Sequence, residues 1–488
     1  MKLLEALNVG PVTLPNRLAV PAMVTRLSGE DGRVNDDVVD RYVRYAEGNV
    51  GLIVVEASSV HGGKSGPLLR VSDDEFIPGL RQLTSACHAA SDSKVFLQII
   101  HFLKIARSGW REKVSEVDAE RLEELPELFT SAALRAQEAG FDGVELHMAH
   151  AYTLSSLLSR HNRRSDKYGR TLENRLRLPS KVLRTVRARV DPSFGVAVRF
   201  DADESIRRGY SVLEAGQMAV RFAELGAGYV SLSAGGKFED AVHREGKPLY
   251  PYTGYSGDRC MPGDTYVDGA NSWMAEAVKS TLRSHGCDTP VLATGKIGSA
   301  QLAEDLLQRG VCDIVGMARA LLADPYLLKK FREGREDETV RCIYCNVCKS
   351  LDENFNTVVC YLWPKDAIQA PRPDEQSQVP IRWPENLEPL TASAEAGQIR
   401  LKWTRPEGPA VGFDVLRSED LGPYERLTSC TRASQLDDSV LRGRSYRYRV
   451  VPYDESGRRG VPSNIVEIEL GPDDADEAMA LEDVDVSL

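Results

Sequence analysis

The stretch EELPELFTSAALRAQEAGFDGVELHM (Glu123–Met148) holds a helical pattern up to Gly140 and then a short apolar run, which reads as a strand buried on both faces. Seven other runs read the same way: NRLAVPAM (16–23), GLIVVEASS (51–59), SKVFLQII (93–100), FGVAVRF (194–200), AGYVSLSAG (227–235), PVLATGKI (290–297) and CDIVGMARA (312–320). Helical patterns lie between most of them, such as SVLEAGQMAVRFAELGAG (211–228), which ends in glycines. Eight strands alternating with helices over about 340 residues predict an α/β fold, a (β/α)8 TIM barrel with long loop insertions. A doubly wound open sheet is the alternative, but no G-x-G-x-x-G turn follows any strand.

The barrel is expected over 1–340. A cysteine-rich segment (341–365) follows, in which Cys342, Cys345, Cys348 and Cys360 are spaced C-x2-C-x2-C-x11-C. Residues 366–385, rich in Pro and polar side chains, read as a linker. Over 386–470 the runs QIRLKWTR, VGFDVLRS, YERLTS, SYRYRVVPYD and NIVEIEL alternate with turn signals and predict a small all-β sandwich. It resembles a fibronectin type III domain, with Trp403 in an early strand and Tyr446 where that family places its tyrosine corner. Such a fold says little about function.

The formal charge is −11, and the tail 471–488 supplies seven of those negative charges with no Lys or Arg. The tail reads as a solvated segment, and the near-neutral remainder suggests no nucleic-acid surface. No apolar run approaches the ~20 residues of a membrane span. Glu5 and Asn8 interrupt the apolar N-terminus and no cleavage site follows, so a cytoplasmic location is expected. Cys87, Cys260, Cys287, Cys312 and Cys430 are scattered singly and read as reduced thiols.

Active sites of such barrels lie at the C-terminal strand ends. After the fourth strand come His147, His150 and Tyr152, two imidazoles and a phenol able to donate hydrogen bonds to an oxyanion and deliver a proton. Two histidines satisfied in a polar loop are the competing reading, and zinc lacks an obvious third ligand. The loops ATGKIGS (293–299) and GMARALLADP (316–325) follow strands seven and eight, where barrels bind phosphate. Gly295 would let backbone approach an anion and Arg319 would hold it.

The segments NRLAVPAMVT, GLIVVEASSV, LQIIH, GFDGVELHMAHAYTLSSLLSRHNRRSDKYGRTLENR, VAVRFDADE, TGKI and MARALLADP, in this order and spacing, resemble the Old Yellow Enzyme family of FMN oxidoreductases. The cysteine segment resembles the subgroup of 2,4-dienoyl-CoA reductase and trimethylamine dehydrogenase, in which such sequence binds a [4Fe-4S] cluster. Four thiolates suit that cluster, with zinc the competing metal. The resemblance implies that Gln98 and Arg199 contact the flavin ring and that Met23, Val24 and Ala57 line its edge. Gly295, Lys296, Ala318 and Arg319 would hold the FMN phosphate. His147 and His150 would bind a substrate carbonyl, and Tyr152 would protonate the alkene. Structural readings stand beside these: an ion pair for Arg199, a buried amide for Gln98, a core position for His101 and an ion-pair network for NRRSDKYGRTLENR.

The implied activity is ene reduction of an α,β-unsaturated carbonyl or acyl thioester, with NAD(P)H or an external one-electron donor of ferredoxin or electron-transfer-flavoprotein type. A homo-oligomer is expected from the family. Trimethylamine-dehydrogenase-like oxidation with electron export competes, although that subgroup carries Tyr where this chain has His147. An electron-transfer subunit is the third reading. Family members carry Gly where Ala151 and Ala318 stand here, and Cys or Thr where Val24 stands. The multidomain relatives continue into Rossmann domains, whereas this chain continues into the sandwich. The insertion 238–273, with Tyr250, Tyr252, Tyr255, Tyr266 and Trp273, is expected to cover the flavin's open face.

Overall fold

The computed structural model describes residues 1–63, 66–104, 112–240, 257–373, 381–384, 386–395 and 397–470. The acidic tail, Tyr250, Tyr252, Tyr255 and part of the linker lie outside the described residues. The chain divides into two compact units. The first comprises Met1–Tyr344, Leu351–Val359 and Ile368–Ala370, and the second Cys345–Ser350, Cys360–Ala367 and the chain from Pro371.

In the first unit a two-stranded hairpin, β1 (Leu7–Val9) and β2 (Val12–Leu14), precedes the barrel strands. These are β3 (Leu18–Val20), β4 (Leu52–Ser59), β5 (Lys94–Ile100), β6 (Gly143–Met148), β7 (Gly195–Asp201), β8 (Val230–Ser233), β9 (Val291–Ala293) and β10 (Ile314–Gly316). They close in the order β10-β3-β4-β5-β6-β7-β8-β9, every neighbouring pair parallel. The eight expected strands are all present, and most are shorter than the apolar runs that announced them. The last run is corrected most: the ladder stops at Gly316, and Ala318–Ala323 is helix rather than strand. An unbroken apolar run does not distinguish a buried strand from a buried helix start.

The hairpin was not expected from the sequence, because its strands are three residues each around a Gly10–Pro11 turn. It packs into the barrel interior: Val9, Val12 and Leu14 form one buried cluster with Leu52, Val54, Phe96, Ala197, Tyr229, Leu292 and Ile314. Burying each large apolar side chain there contributes about 1.5–3 kcal/mol. The outer helices cover the other strand faces with the main hydrophobic core. The expected helices run Leu125–Glu138, with Pro126 in its first turn, and Val212–Glu224. Among the described residues no helix is long and apolar enough to cross a membrane.

In the second unit β11 (Leu390–Glu395), β12 (Gln398–Trp403) and β15 (Ser434–Asp437) form one antiparallel sheet. β13 (Gly412–Glu419), β14 (Glu425–Cys430), β16 (Ser445–Tyr453) and β17 (Val466–Glu469) form the other. Leu390, Ile399 and Leu401 of the first sheet and Phe413, Val415, Tyr448 and Val450 of the second share one core, so the sheets pack face to face. Tyr446 accepts a hydrogen bond at its hydroxyl from the Leu441 N–H at 2.8 Å, tying the strand to the loop before it.

Candidate active site

Strand alternation decides which side chains reach the barrel mouth. Phe96, Ala197 and Tyr229 fill the interior, so Gln98, Arg199 and Ser231, two residues on, continue the same inward face toward the C-terminal ends. The ladder sets Gln98 beside Glu145, His147 beside Arg199, Arg199 beside Ser231, and Asp201 beside Ser233.

His147, His150 and Tyr152 come together there. The His147 ring centroid lies 5.3 Å from that of His150 and 5.0 Å from that of Tyr152, both edge to face. The His147 Nδ1 accepts the Ala149 N–H at 3.2 Å, which leaves its proton on Nε2. His150 Nε2 lies 2.6 Å from the Ser233 hydroxyl, leaving Nδ1 as the other ring nitrogen. The His150 N–H donates to Asp201 Oδ2 at 2.8 Å. Burial, and then neighbouring positive charge, holds both imidazoles well below the usual histidine range. Both are therefore neutral at pH 7, and His147 presents its Nε2–H as a donor.

The turn that carries them is in the left-handed region, with φ of 60° at His150 and 58° at Ala151. A Cβ there costs about 1–2 kcal/mol, partly offset by the greater freedom glycine has when unfolded. Ala151→Gly should therefore stabilise the protein by about 0.5–1 kcal/mol. A rise in the urea midpoint at unchanged m-value would show it, and an unchanged or lower midpoint would refute the strain.

Arg199 is 5% exposed and donates to the hydroxyls of Ser231 at 3.0 Å and Ser233 at 3.3 Å. It has no carboxylate ion-pair partner among the described residues. Gln98 donates to Glu145 Oε1 at 2.7 Å rather than to barrel backbone, and Tyr229 donates to Glu145 Oε2 at 2.9 Å. Burial raises the Glu145 carboxyl, and Arg199 followed by these hydrogen bonds pulls it back. A buried guanidinium satisfied only by hydroxyls suits an electron-rich ring above it.

On the other side of the mouth Met23, Val24 and Thr25 follow β3. Glu56 of β4 accepts from the Thr25 N–H at 2.8 Å and hydroxyl at 2.6 Å, fixing that backbone beside the buried Ala57. Burial pushes the Glu56 carboxyl up to about 7, against those two bonds. His101 shares a 2.8 Å hydrogen bond with the Thr153 hydroxyl, and burial lowers its imidazole to about 3.

The loops after β9 and β10 bring Lys296 and Arg319 onto one ring. Lys296 Nζ and Arg319 Cζ each lie 5.0 Å from the Tyr344 ring centroid. Lys296 donates to the Asp264 carbonyl at 3.0 Å and Arg319 to the Pro262 carbonyl at 2.9 Å. Gly295 has φ of 112°, and a Cβ there would meet the Asn271 side chain at 2.6 Å. Ala318 begins the helix that carries Arg319. Two cations beside a glycine backbone suit a phosphate in kind.

The segment NRRSDKYGRTLENR makes an ion-pair network, with Arg164 bound to Asp166 and Glu123 bound to both Lys167 and the Tyr168 hydroxyl. Cys342 falls in the first unit, and Cys345, Cys348 and Cys360 in the second. None of the nine cysteines is in a disulfide. Among the described residues no group of three or more His, Cys, Asp or Glu is arranged to hold a metal ion. Four cysteine thiolates suit an iron–sulfur cluster in kind.

Sequence reading missed Ser233, Glu145, Asp201 and Glu56. Period-2 alternation past Tyr229 leads to Ser231 and Ser233, but a serine carries no chemical signature of its own, so neither was singled out.

The family described as NADH:flavin oxidoreductase / NADH oxidase matches residues 2–244 and 263–338. The "NADH oxidase" of Thermoanaerobacter brockii is 32% identical over 361 residues, 70% of this chain and 52% of its own length. The "NADPH dehydrogenase" of Geobacillus sp. (strain WCH70) is 32% identical over 335 residues, 64% of this chain and 89% of its own length. A solved 2-naphthoyl-CoA reductase complex superposes with a TM-score of 0.64 at 22% identity, covering 73% of this chain and 56% of that one, a likeness of fold. The chain spans about half the length of the first curated relatives it matches. With a parallel barrel that presents these residues at its mouth and a match over most of the first unit, the chain belongs to the NADH:flavin oxidoreductase / NADH oxidase family, that of Old Yellow Enzyme.

Proposed function

We propose that the protein is an ene reductase acting on an α,β-unsaturated carbonyl or acyl thioester. The observation that carries this reading is the convergence of two neutral imidazoles and a phenol at the end of β6, edge to face within 5.3 Å. Gln98 and Arg199 would contact the flavin ring, with Met23, Val24 and Ala57 along its edge. Gly295, Lys296, Ala318 and Arg319 would hold the phosphate. FMN held there would supply hydride chemistry toward the substrate β-carbon. His147 Nε2–H and His150 Nδ1 receive the carbonyl oxygen, so charge developing on that oxygen meets preorganised donors. Tyr152 gives its phenolic proton to the α-carbon.

The names of the two curated relatives favour a nicotinamide as reductant. Cys342, Cys345, Cys348 and Cys360 are proposed as [4Fe-4S] ligands on spacing and donor chemistry, with a ferredoxin or electron-transfer-flavoprotein type partner.

Anaerobic purification followed by addition of NADH or NADPH tests this. Flavin absorbance should bleach and then return when 2-cyclohexenone or crotonyl-CoA is added, with the saturated product formed. A reduced flavin that neither compound reoxidises would sink the reading. About four irons per chain with matching sulfide are expected. Zinc, or no metal, would remove the cluster. Bleaching by a low-potential one-electron donor but by neither nicotinamide would make the external partner the reductant.

A further inference from the structure

Lys237 lies four residues past Ser233 and is 1% exposed. Its ammonium donates to the His150 carbonyl at 3.1 Å and stands 3.0 Å from the centroid of the Tyr152 ring. The chain brings it there because Gly236 forms a parallel bridge with His150. A Cβ on Gly236 would sit 3.1 Å from the His150 backbone, closer than packing ordinarily allows. Neither the hydride step nor the binding of the carbonyl oxygen uses a lysine, and burying an ammonium is costly unless its charge is compensated. Other groups also feel this charge. It depresses His147 and His150 together with Arg199, and it joins Arg26 in opposing the burial that raises Asp352.

We propose that Lys237 is a positioning residue that makes Tyr152 the proton donor. In that step the Tyr152 O–H bond breaks and a C–H bond forms at the substrate α-carbon. The phenolic oxygen keeps the bonding pair, and solvent later reprotonates it. The ammonium against the ring face stabilises the phenolate left behind, while its bond to the His150 carbonyl fixes the turn that carries both His150 and Tyr152. The proton step rests on the ene-reductase reading. The charge coupling of Lys237 to Tyr152 does not.

The test uses the flavin-loaded full chain. Lys237→Met should lower kcat for 2-cyclohexenone reduction roughly ten- to a hundredfold, and Lys237→Arg should keep most of it. The tyrosinate ultraviolet absorbance of each protein, less that of its Tyr152→Phe counterpart, should titrate at higher pH in Lys237→Met, by about 1 unit or more. In a Tyr152→Phe background Lys237→Gln, which keeps the donor to the His150 carbonyl and removes only the charge, should cost nothing further. Should Lys237→Met lose its flavin, Lys237→Gln must show the same upward movement. An unmoved titration, or a further loss from Lys237→Gln in the Tyr152→Phe background, overturns the proposal. A wild-type protein that reduces no enone, but whose Tyr152 titration moves with Lys237, refutes the ene-reductase reading and with it the proton step, and leaves the charge coupling of Lys237 to Tyr152 standing.

Discussion

Replacing His147 and His150 together by alanine should lower kcat for enone reduction by roughly 10^4-fold, at about 3 kcal/mol per lost donor. The figure assumes that each imidazole stabilises charge on the carbonyl oxygen more in the transition state than in the ground state. Reduction of the flavin by NAD(P)H does not need that charge, so the first half-reaction should stay within a fewfold. A double variant with full turnover and unchanged affinity would remove the pair from the mechanism. The same burial has a consequence for stability. Both histidines are held well below the ordinary value of 6.5 in the folded chain, so the unfolded chain binds more protons as pH falls through that value. Stability from this source is present above about pH 6.5 and is lost as pH falls below it, and the double alanine variant should lose less stability over that fall. Urea midpoints of both proteins at pH 7.5 and pH 5.5 measure the difference.

How much of this was legible in the chain follows from physical cause. Strands buried on both faces appear as apolar runs, so β4 to β8 stood out, and their order in the barrel follows from alternation with helices. The ends were less legible. MARALLA continues the apolar run of β10, yet it turns helical because the ladder has no partner beyond Gly316. The β1–β2 hairpin carries too few residues to show a period. His147, His150 and Tyr152 were legible because their chemistry is rare at a strand end. Lys237 was not, since its place over Tyr152 depends on a bridge between two loops, and no local pattern encodes that. The cysteine spacing was plain, whereas the arrangement of the four thiols in space is not a property of spacing.

Arg199→Met should destabilise the protein by about 3 kcal/mol and cost it flavin on desalting. The guanidinium is buried, satisfies Ser231 and Ser233, and is the largest favourable influence on the ionised Glu145. Burial already raises the Glu145 carboxyl, so the folded chain holds a proton that the unfolded chain releases above about its ordinary value of 4.5. Stability from this group is therefore full below that value and falls as pH rises through the raised one. Without Arg199 the carboxyl rises further, and the penalty at high pH grows. The loss caused by Arg199→Met should accordingly be larger at pH 8 than at pH 5, and Glu145→Gln in the same chain should flatten that dependence. Urea unfolding of the two variants at both pH values gives the answer. A loss independent of pH and indifferent to Glu145→Gln would mean that Arg199 acts through its serine bonds alone. The Glu145 carboxylate would then owe its stability to its hydrogen bonds with Gln98 of the adjacent strand β5, Tyr229 just before β8, and Ser231.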